Sequence, residues 1–458
     1  MIPVEKRSAL RFSAVFALAA LLVVGAVAGF NAAVDPFGMY RTLELDGFNV
    51  RKPGIYKRVR LMKAYELRRV KPTALVVGTS RSHLALRPSH EGWDGAQTRR
   101  YNLAFDGATT KEMYHYLLHA HAVQPLRQVV LGLDSYHPQF SPARTRPDFD
   151  AQILETPGSW LNAPRRLLAD LKILVSVDTL KASLETIRAQ GDTSPEWFAA
   201  DGQRLGEVFF RTVGGTFLSA GPRAYFDEID RLEVGFQSEG RAPAKAKQVA
   251  PAPPVPPEET AFGYVRRIVE FCRQEDIDLR VFITPSHVHQ LEISAATSGW
   301  EGVERGKREL VRLLAEDVER HPGAKPFPLH DFSGYSSVTT EPLPAVGSRD
   351  EMAYYWDSSH FKENVGDMVL DRIFAVERPD RPVPADFGVV LTARNIDAVL
   401  AATRAAQADY RATHVAEIES IRAMAAAAAA PAAQPLRSAG PAEPGQPPGR
   451  SNAGGVQG

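Results

Sequence analysis

Two stretches far apart in the chain hold complementary pieces of nucleophile chemistry. Gly78-Thr79-Ser80-Arg81 places a serine at a turn, and Asp357-Ser358-Ser359-His360 places a carboxylate three residues before an imidazole. A serine hydroxyl is a poor nucleophile until a base takes its proton, and a neutral imidazole is held in the right tautomer when its other nitrogen meets an acceptor. A separation of three residues within a turn lets the Asp357 carboxylate reach the His360 ring. The two stretches therefore suit acyl transfer, with Ser80 as nucleophile, His360 as base and Asp357 as its orienter. Backbone N–H groups of Ser80 and Gly107 are candidates to stabilise the developing oxyanion, with Asn102 as the nearby side-chain amide.

Other polar residues have both a functional and a structural reading. Arg81 suits either a substrate carboxylate or phosphate, or a structural ion pair. His287 is a candidate substrate contact. His287 and His289, with Asp134 or Asp357, also suit a metal site, because His-x-His in an extended segment puts both rings on one face. Asp134 and His137 form a second Asp-x-x-His that competes for the base role. Cys272, the single cysteine, lies on the apolar face of a helical pattern and reads as core. It excludes an intrachain disulfide and a multi-thiolate zinc site.

Bringing Ser80 and His360 together requires a fold that delivers distant loops to one edge. Short apolar runs alternate with helical patterns, the signature of a parallel sheet with crossover helices. The strands are expected at Ala74–Val77, 100–103, Gln128–Leu133, 279–283 and 327–332. Helices are expected at 264–273 and 304–319, and Thr109 with Glu112 forms a capping box ahead of a further helical pattern. In such sheets ligands bind beyond the carboxyl ends of the strands, where Gly78 to Arg81, Asn102, Asp134, and Thr284 to His289 all fall.

This order of blocks resembles the SGNH (GDSL-like) hydrolase superfamily. Gly78-Thr79-Ser80 matches its nucleophile block, Gly107 its glycine block and Asp357-Ser358-Ser359-His360 its last block, over residues 75–361. The resemblance implies a three-layer α/β fold with a flavodoxin-like parallel sheet, Ser80 as nucleophile, Asp357 and His360 as orienter and base, and a Gly and an Asn in the oxyanion hole. Thr79 stands where the family has Asp, and Gly132-Leu133-Asp134 stands where it has Gly-x-Asn-Asp, so Asp134 offers an acceptor in place of an amide donor.

The chain has 458 residues, 44% hydrophobic and 24% charged, enough for a large domain with insertions. Lys+Arg and Asp+Glu both number 54, which gives no electrostatic footprint for nucleic acid. Residues 1–11 are basic and read as a cytoplasmic N-terminus. Residues 12–34 carry no charge and as a helix would span about 35 Å, enough to cross a bilayer. Ala26-Val27-Ala28 also fits a signal-peptide cleavage site, but the apolar run continues past it, which favours an uncleaved anchor. Either way the positive-inside bias exports the rest.

The expected plan is a transmembrane helix at 12–34, an α/β domain in two parts (40–138 and 258–390), a helical insertion at 139–239, a proline-rich linker at 240–257, a peripheral helix at 391–424 and a disordered tail at 425–458. Together with the anchor, the resemblance extends to extracytoplasmic acyl-transfer proteins of cell-surface polysaccharide modification, including the alginate acetylation group. The expected function is a serine esterase or O-acyltransferase at the periplasmic face of the cytoplasmic membrane. It would act on an acylated polysaccharide or acyl donor, possess envelope assembly proteins as partners, and need no metal or organic cofactor. Two alternatives are an inactive scaffold of the same fold that binds polysaccharide or assembly partners, and a metal-dependent hydrolase using His287, His289 and a carboxylate.

Overall fold

Apolar runs bounded by turn residues become the strands of one sheet: β1 (Ala74–Val77), β2 (Arg100–Asn102), β3 (Gln128–Leu133), β4 (Asp278–Ile283), β5 (Leu329–Asp331) and β6 (Val389–Leu391). Their order is β2-β1-β3-β4-β5-β6, with the first five parallel and β6 antiparallel to β5. The computed structural model describes residues 4–41, 43–93, 95, 98–134, 142–239 and 255–429. His137, most of the proline-rich stretch and residues 430–458 lie outside the described residues.

The helices are α1 (Val4–Val34), α2 (Val59–Val70), α3 (Ser80–Ala85), α4 (Thr110–Val123), α5 (Asn162–Leu174), α6 (Val177–Arg188), α7 (Gly206–Val213), α8 (Thr216–Ala220), α9 (Pro222–Glu239), α10 (Ala261–Gln274), α11 (Val288–Thr297), α12 (Trp300–Arg320), α13 (Glu363–Phe374), α14 (Ile396–Thr413) and α15 (Val415–Ala429). Because successive strand residues point to opposite faces, the central strands β1, β3 and β4 feed two cores. Leu75, Val77, Val129, Leu131 and Val281 pack under α2, α4, α10 and α12. Ala74, Val76, Val130 and Phe282 pack under α3 and α13 on the other face. The central strands are buried on both sides, which is why they read as continuous apolar runs.

Some elements differ from the sequence expectation. β6, Val-Val-Leu, is only three residues long and largely exposed at the sheet edge, too short an apolar run to be singled out as a strand. His287 and His289 are not in an extended segment: His287 caps α11 and His289 lies in its first turn. The expected helix over 396–424 breaks at His414 into α14 and α15. The first alanines of the expected tail, residues 425–429, continue α15, and Ala425 is buried with Val234, Ile293 and Ile421.

Between β3 and β4 the described residues form α5 to α9. α5 and α6 meet the end of α1: the Asn31 amide donates to the Leu174 carbonyl (2.7 Å) and its oxygen accepts from the Ser183 hydroxyl (2.8 Å). α7 and α8 meet the carboxyl edge of the sheet, where Phe210 stacks on Trp356 beside the Asp357 turn and Phe217 packs edge-on. α1 contains one segment, Ser8–Val34, long and apolar enough to cross a membrane, and residues 8–26 are exposed throughout.

Candidate active site

Ser80 and His360, 280 positions apart, meet at the carboxyl edge of the sheet. Ser80 is the first residue of α3, immediately beyond β1, and its Oγ lies 2.8 Å from His360 Nε2. His360 Nδ1 lies 2.8 Å from one Asp357 oxygen and 3.0 Å from the other. Asp357 is fully buried, and its Oδ1 also accepts from the backbone N–H of Ser359 (2.7 Å) and His360 (2.9 Å). These local bonds close the turn and aim the carboxylate at the ring. Trp356 N–H to the His360 carbonyl (2.9 Å) pins the same turn from outside. A serine, an imidazole with its second nitrogen held, and a buried carboxylate can together carry out nucleophilic attack with proton transfer.

Arg81 faces inward. It is buried, with Nη1 donating to Asp134 Oδ2 (2.8 Å), Nε to Ser286 Oγ (3.0 Å) and Nη2 to Ser359 Oγ (3.0 Å) and toward Glu233 (3.5 Å). One guanidinium thus joins the loops after β1, β3 and β4, the catalytic turn and α9. Of the two readings of Arg81, the structure shows the ion pair with Asp134, and its donor fork is engaged by protein acceptors. Asp134, expected as a misplaced acceptor in the oxyanion region, is the main acceptor for this fork and also accepts from the Thr284 hydroxyl (3.0 Å).

For the oxyanion, Ser80 N–H opens a helix and has no intrahelical carbonyl to meet. Gly107 sits at φ 59°, and a Cβ there would run into the Arg146 guanidinium, whose Nε donates to the Gly107 carbonyl (3.0 Å). Asn102 does not fit the expected role. Its amide nitrogen donates to the carbonyls of Ser82 and Leu86 (both 2.9 Å), and its oxygen accepts from Ala104 N–H (3.0 Å). With both amide hydrogens engaged, Asn102 anchors the nucleophile helix and offers nothing to a substrate oxygen.

Sequence reasoning did not single out the groups that support this loop. Lys63 is buried and donates to the carbonyls of Asn102 (2.7 Å) and Ala104 (2.8 Å); burial pulls its pKa down to about 7. His83 Nδ1 meets Asp106 (3.1 Å), and burial, with the nearby Lys63 charge, lowers its pKa to about 3. Asp106 also pairs with Arg204, whose guanidinium lies 3.7 Å from the centre of the Phe209 ring. Lys63 and Arg204 are separated from the motif in sequence, and no local pattern signals their convergence.

The candidate His287 is buried as well. Its Nδ1 accepts from His289 N–H (3.3 Å) and its Nε2 meets the Glu341 carbonyl (2.9 Å), while burial drives its pKa to about 3. Both ring nitrogens are engaged by main chain, so neither the substrate role nor the metal role fits. His289 sits between Asp230 Oδ2 (2.7 Å) and Glu417 Oε2 (3.1 Å). Burial alone would lower its pKa, but these two carboxylates outweigh it and raise it to about 9. The ring is thus an imidazolium that clamps α9 and α15 to α11. Cys272 is buried in the core.

No family model matches the chain, and no curated protein matches it in sequence.

Proposed function

We propose that the chain is an SGNH-like serine esterase or O-acyltransferase, anchored by α1 in the cytoplasmic membrane with its α/β domain on the periplasmic side, acting on acyl groups of a cell-envelope or exopolysaccharide substrate. The observation that carries this reading is the unbroken relay from Ser80 Oγ through His360 to buried Asp357. Two further features support it. The strand order β2-β1-β3-β4-β5 is that of flavodoxin-like doubly wound sheets, and the relay stands beyond their carboxyl ends. The basic residues before α1's apolar segment favour a cytoplasmic N-terminus.

In this mechanism Ser80 Oγ bonds to the acyl carbon as His360 Nε2 takes its proton. Asp357 stabilises the imidazolium, and the N–H groups of Ser80 and Gly107 face the carbonyl oxygen as it becomes an oxyanion. Collapse expels the alcohol, which recovers the proton from His360. The acyl-serine then passes its acyl group to water in an esterase, or to a sugar hydroxyl in a transferase, by the reverse sequence.

The engagement of Asn102 favours one second reading, a scaffold that retains the fold and binds glycan without turnover. Treating the purified full-length chain with a serine-reactive fluorophosphonate and mapping the adduct tests both. Modification at Ser80, abolished in His360→Ala, is expected of the enzyme. A folded chain that takes no label at Ser80 overturns the enzymatic reading and leaves the scaffold.

A further inference from the structure

The elbow between α5 and α6 turns its apolar side outward. On α5, Leu167, Leu168, Leu171 and Val175 are exposed and share one face at helical spacing, whereas Ala169 and Ile173, on the opposite face, turn toward the protein. Val177 and Leu184 continue the exposed face along α6. Trp160, just before α5, is 83% exposed. A surface helix of a soluble domain has the reverse arrangement, with its apolar stripe on the core.

The place of this face in the fold indicates what covers it. Asn31 of α1 is buried, and its side chain binds the Leu174 carbonyl and the Ser183 hydroxyl, so the elbow is fastened to α1 at that residue. A span of about 20 residues fills a hydrocarbon core. Starting after Arg11, such a span ends close to Asn31, which is where the elbow is attached. Near the same end of α1, Asn49 holds the carbonyls of Ala33 (3.0 Å) and Leu43 (2.7 Å), in a loop that exposes Leu43 and Leu45. Arg165, Lys172 and Lys181 are exposed beside the apolar face of the elbow, as basic side chains are beside the buried face of interfacial helices.

We propose that the α5 and α6 elbow is a second membrane contact, lying in the boundary between headgroups and acyl chains of the bilayer that α1 crosses. The proposal rests on the reading of α1 as a membrane span. Trp160 occupies the interface, where an amphipathic ring is favoured, and the leucines leave water for the acyl boundary. Two contacts, one along the membrane normal and one in its plane, fix the tilt of the catalytic domain, which α1 alone would leave free.

Site-specific fluorescence of the full-length chain in liposomes tests this. Cys272 is fully buried, so variants that each carry one introduced surface cysteine accept an environment-sensitive NBD label selectively at that site. Probes at Leu171→Cys and Val177→Cys report the elbow, Leu22→Cys reports the span, and Val346→Cys, on an 84% exposed loop residue, reports water. The liposomes contain phosphatidylethanolamine and phosphatidylglycerol with nitroxide lipids labelled at a shallow or a deep acyl position.

The expected result is at least twofold quenching of the two elbow probes by the shallow nitroxide, deep quenching of the Leu22 probe and none of the Val346 probe. If the Leu22 probe is quenched while the elbow probes behave like Val346, the elbow proposal falls and the anchor stands. Blue-shifted elbow probes without quenching would mean that protein covers the face, such as a second copy, and also overturn it. An unquenched Leu22 probe overturns the anchor reading itself.

Discussion

Behind Ser80 the protein buries charge, and at the α5 and α6 elbow it exposes leucine. Both depart from the usual partition of side chains, and the reasons differ. Arg81 is buried with Asp134, and Ser286, Ser359 and Glu233 accept from its other nitrogens, so its desolvation is offset by partners within the described residues. The leucines of α5 have no such partner on their exposed side among the described residues. A buried charge with its acceptors in place is a structural solution complete in itself. An exposed apolar face fastened to a membrane-length helix points to a partner outside the chain.

The largest effect is expected at Ser80, the nucleophile of the proposed reaction. Ser80→Ala should lower hydrolysis of an activated acetate ester by about three orders of magnitude or more with folding retained, because the relay acts as a unit. Activity within tenfold of the wild type would place the chemistry elsewhere. Arg81→Met should act on stability: it leaves Asp134 buried without its cation, and denaturant unfolding should show a loss of about 3–5 kcal/mol. A loss below about 1 kcal/mol would mean that Arg81 is not the tie that its bonds suggest.

The clamp at His289 gives a pH dependence with a definite sign. Its pKa is raised to about 9, so the stability it contributes is present below the ordinary histidine pKa and lost as pH rises through about 9. Burial alone would raise the pKa of Glu417, but its bonds to His289 and Tyr410 lower it to about 2, so its share is present above the ordinary glutamate range and lost as pH falls toward 2. Hydrogen exchange in α9 and α15 should therefore be slowest from about pH 5 to 6.5 and, corrected for intrinsic rates, accelerate progressively as pH rises from there through about 9. Protection unchanged up to pH 10 would show that packing alone docks these helices.

What the sequence revealed follows from how local each signal is. Buried parallel strands announce themselves because both faces are apolar, and Thr109 and Glu112 form the capping box that their spacing suggests. The Asp357 turn was legible because its orienting bonds join residues within three positions. β6 was not, since an apolar triplet, Val389 to Leu391, is too short to separate a strand from a loop. The true settings of Arg81, Asn102 and His287 were hidden for a different reason: their partners lie between 2 and 278 positions away, and a residue type alone does not tell whether its donors are already engaged. The α5 leucines recur at helical spacing, but periodicity does not say which way an apolar face turns.

That last ambiguity leads to the smallest expected effect. Leu167→Ser combined with Leu171→Ser should leave the stability of the detergent-solubilised chain within about 1 kcal/mol of the wild type, since surface substitutions away from packed features usually stay within about 0.5 kcal/mol each. In the sheet core, Leu131→Ala should cost about 2–5 kcal/mol in the same measurement, because it removes buried side-chain atoms and leaves a cavity. The contrast matters because both sites hold leucine at positions that sequence patterning marks as apolar. If the double serine variant instead lost more than about 2 kcal/mol, the face would be packed against protein and the distinction between internally and externally satisfied surfaces would fail. A near-zero loss locates the function of those leucines outside the folding equilibrium, in a contact that the folded chain does not itself supply.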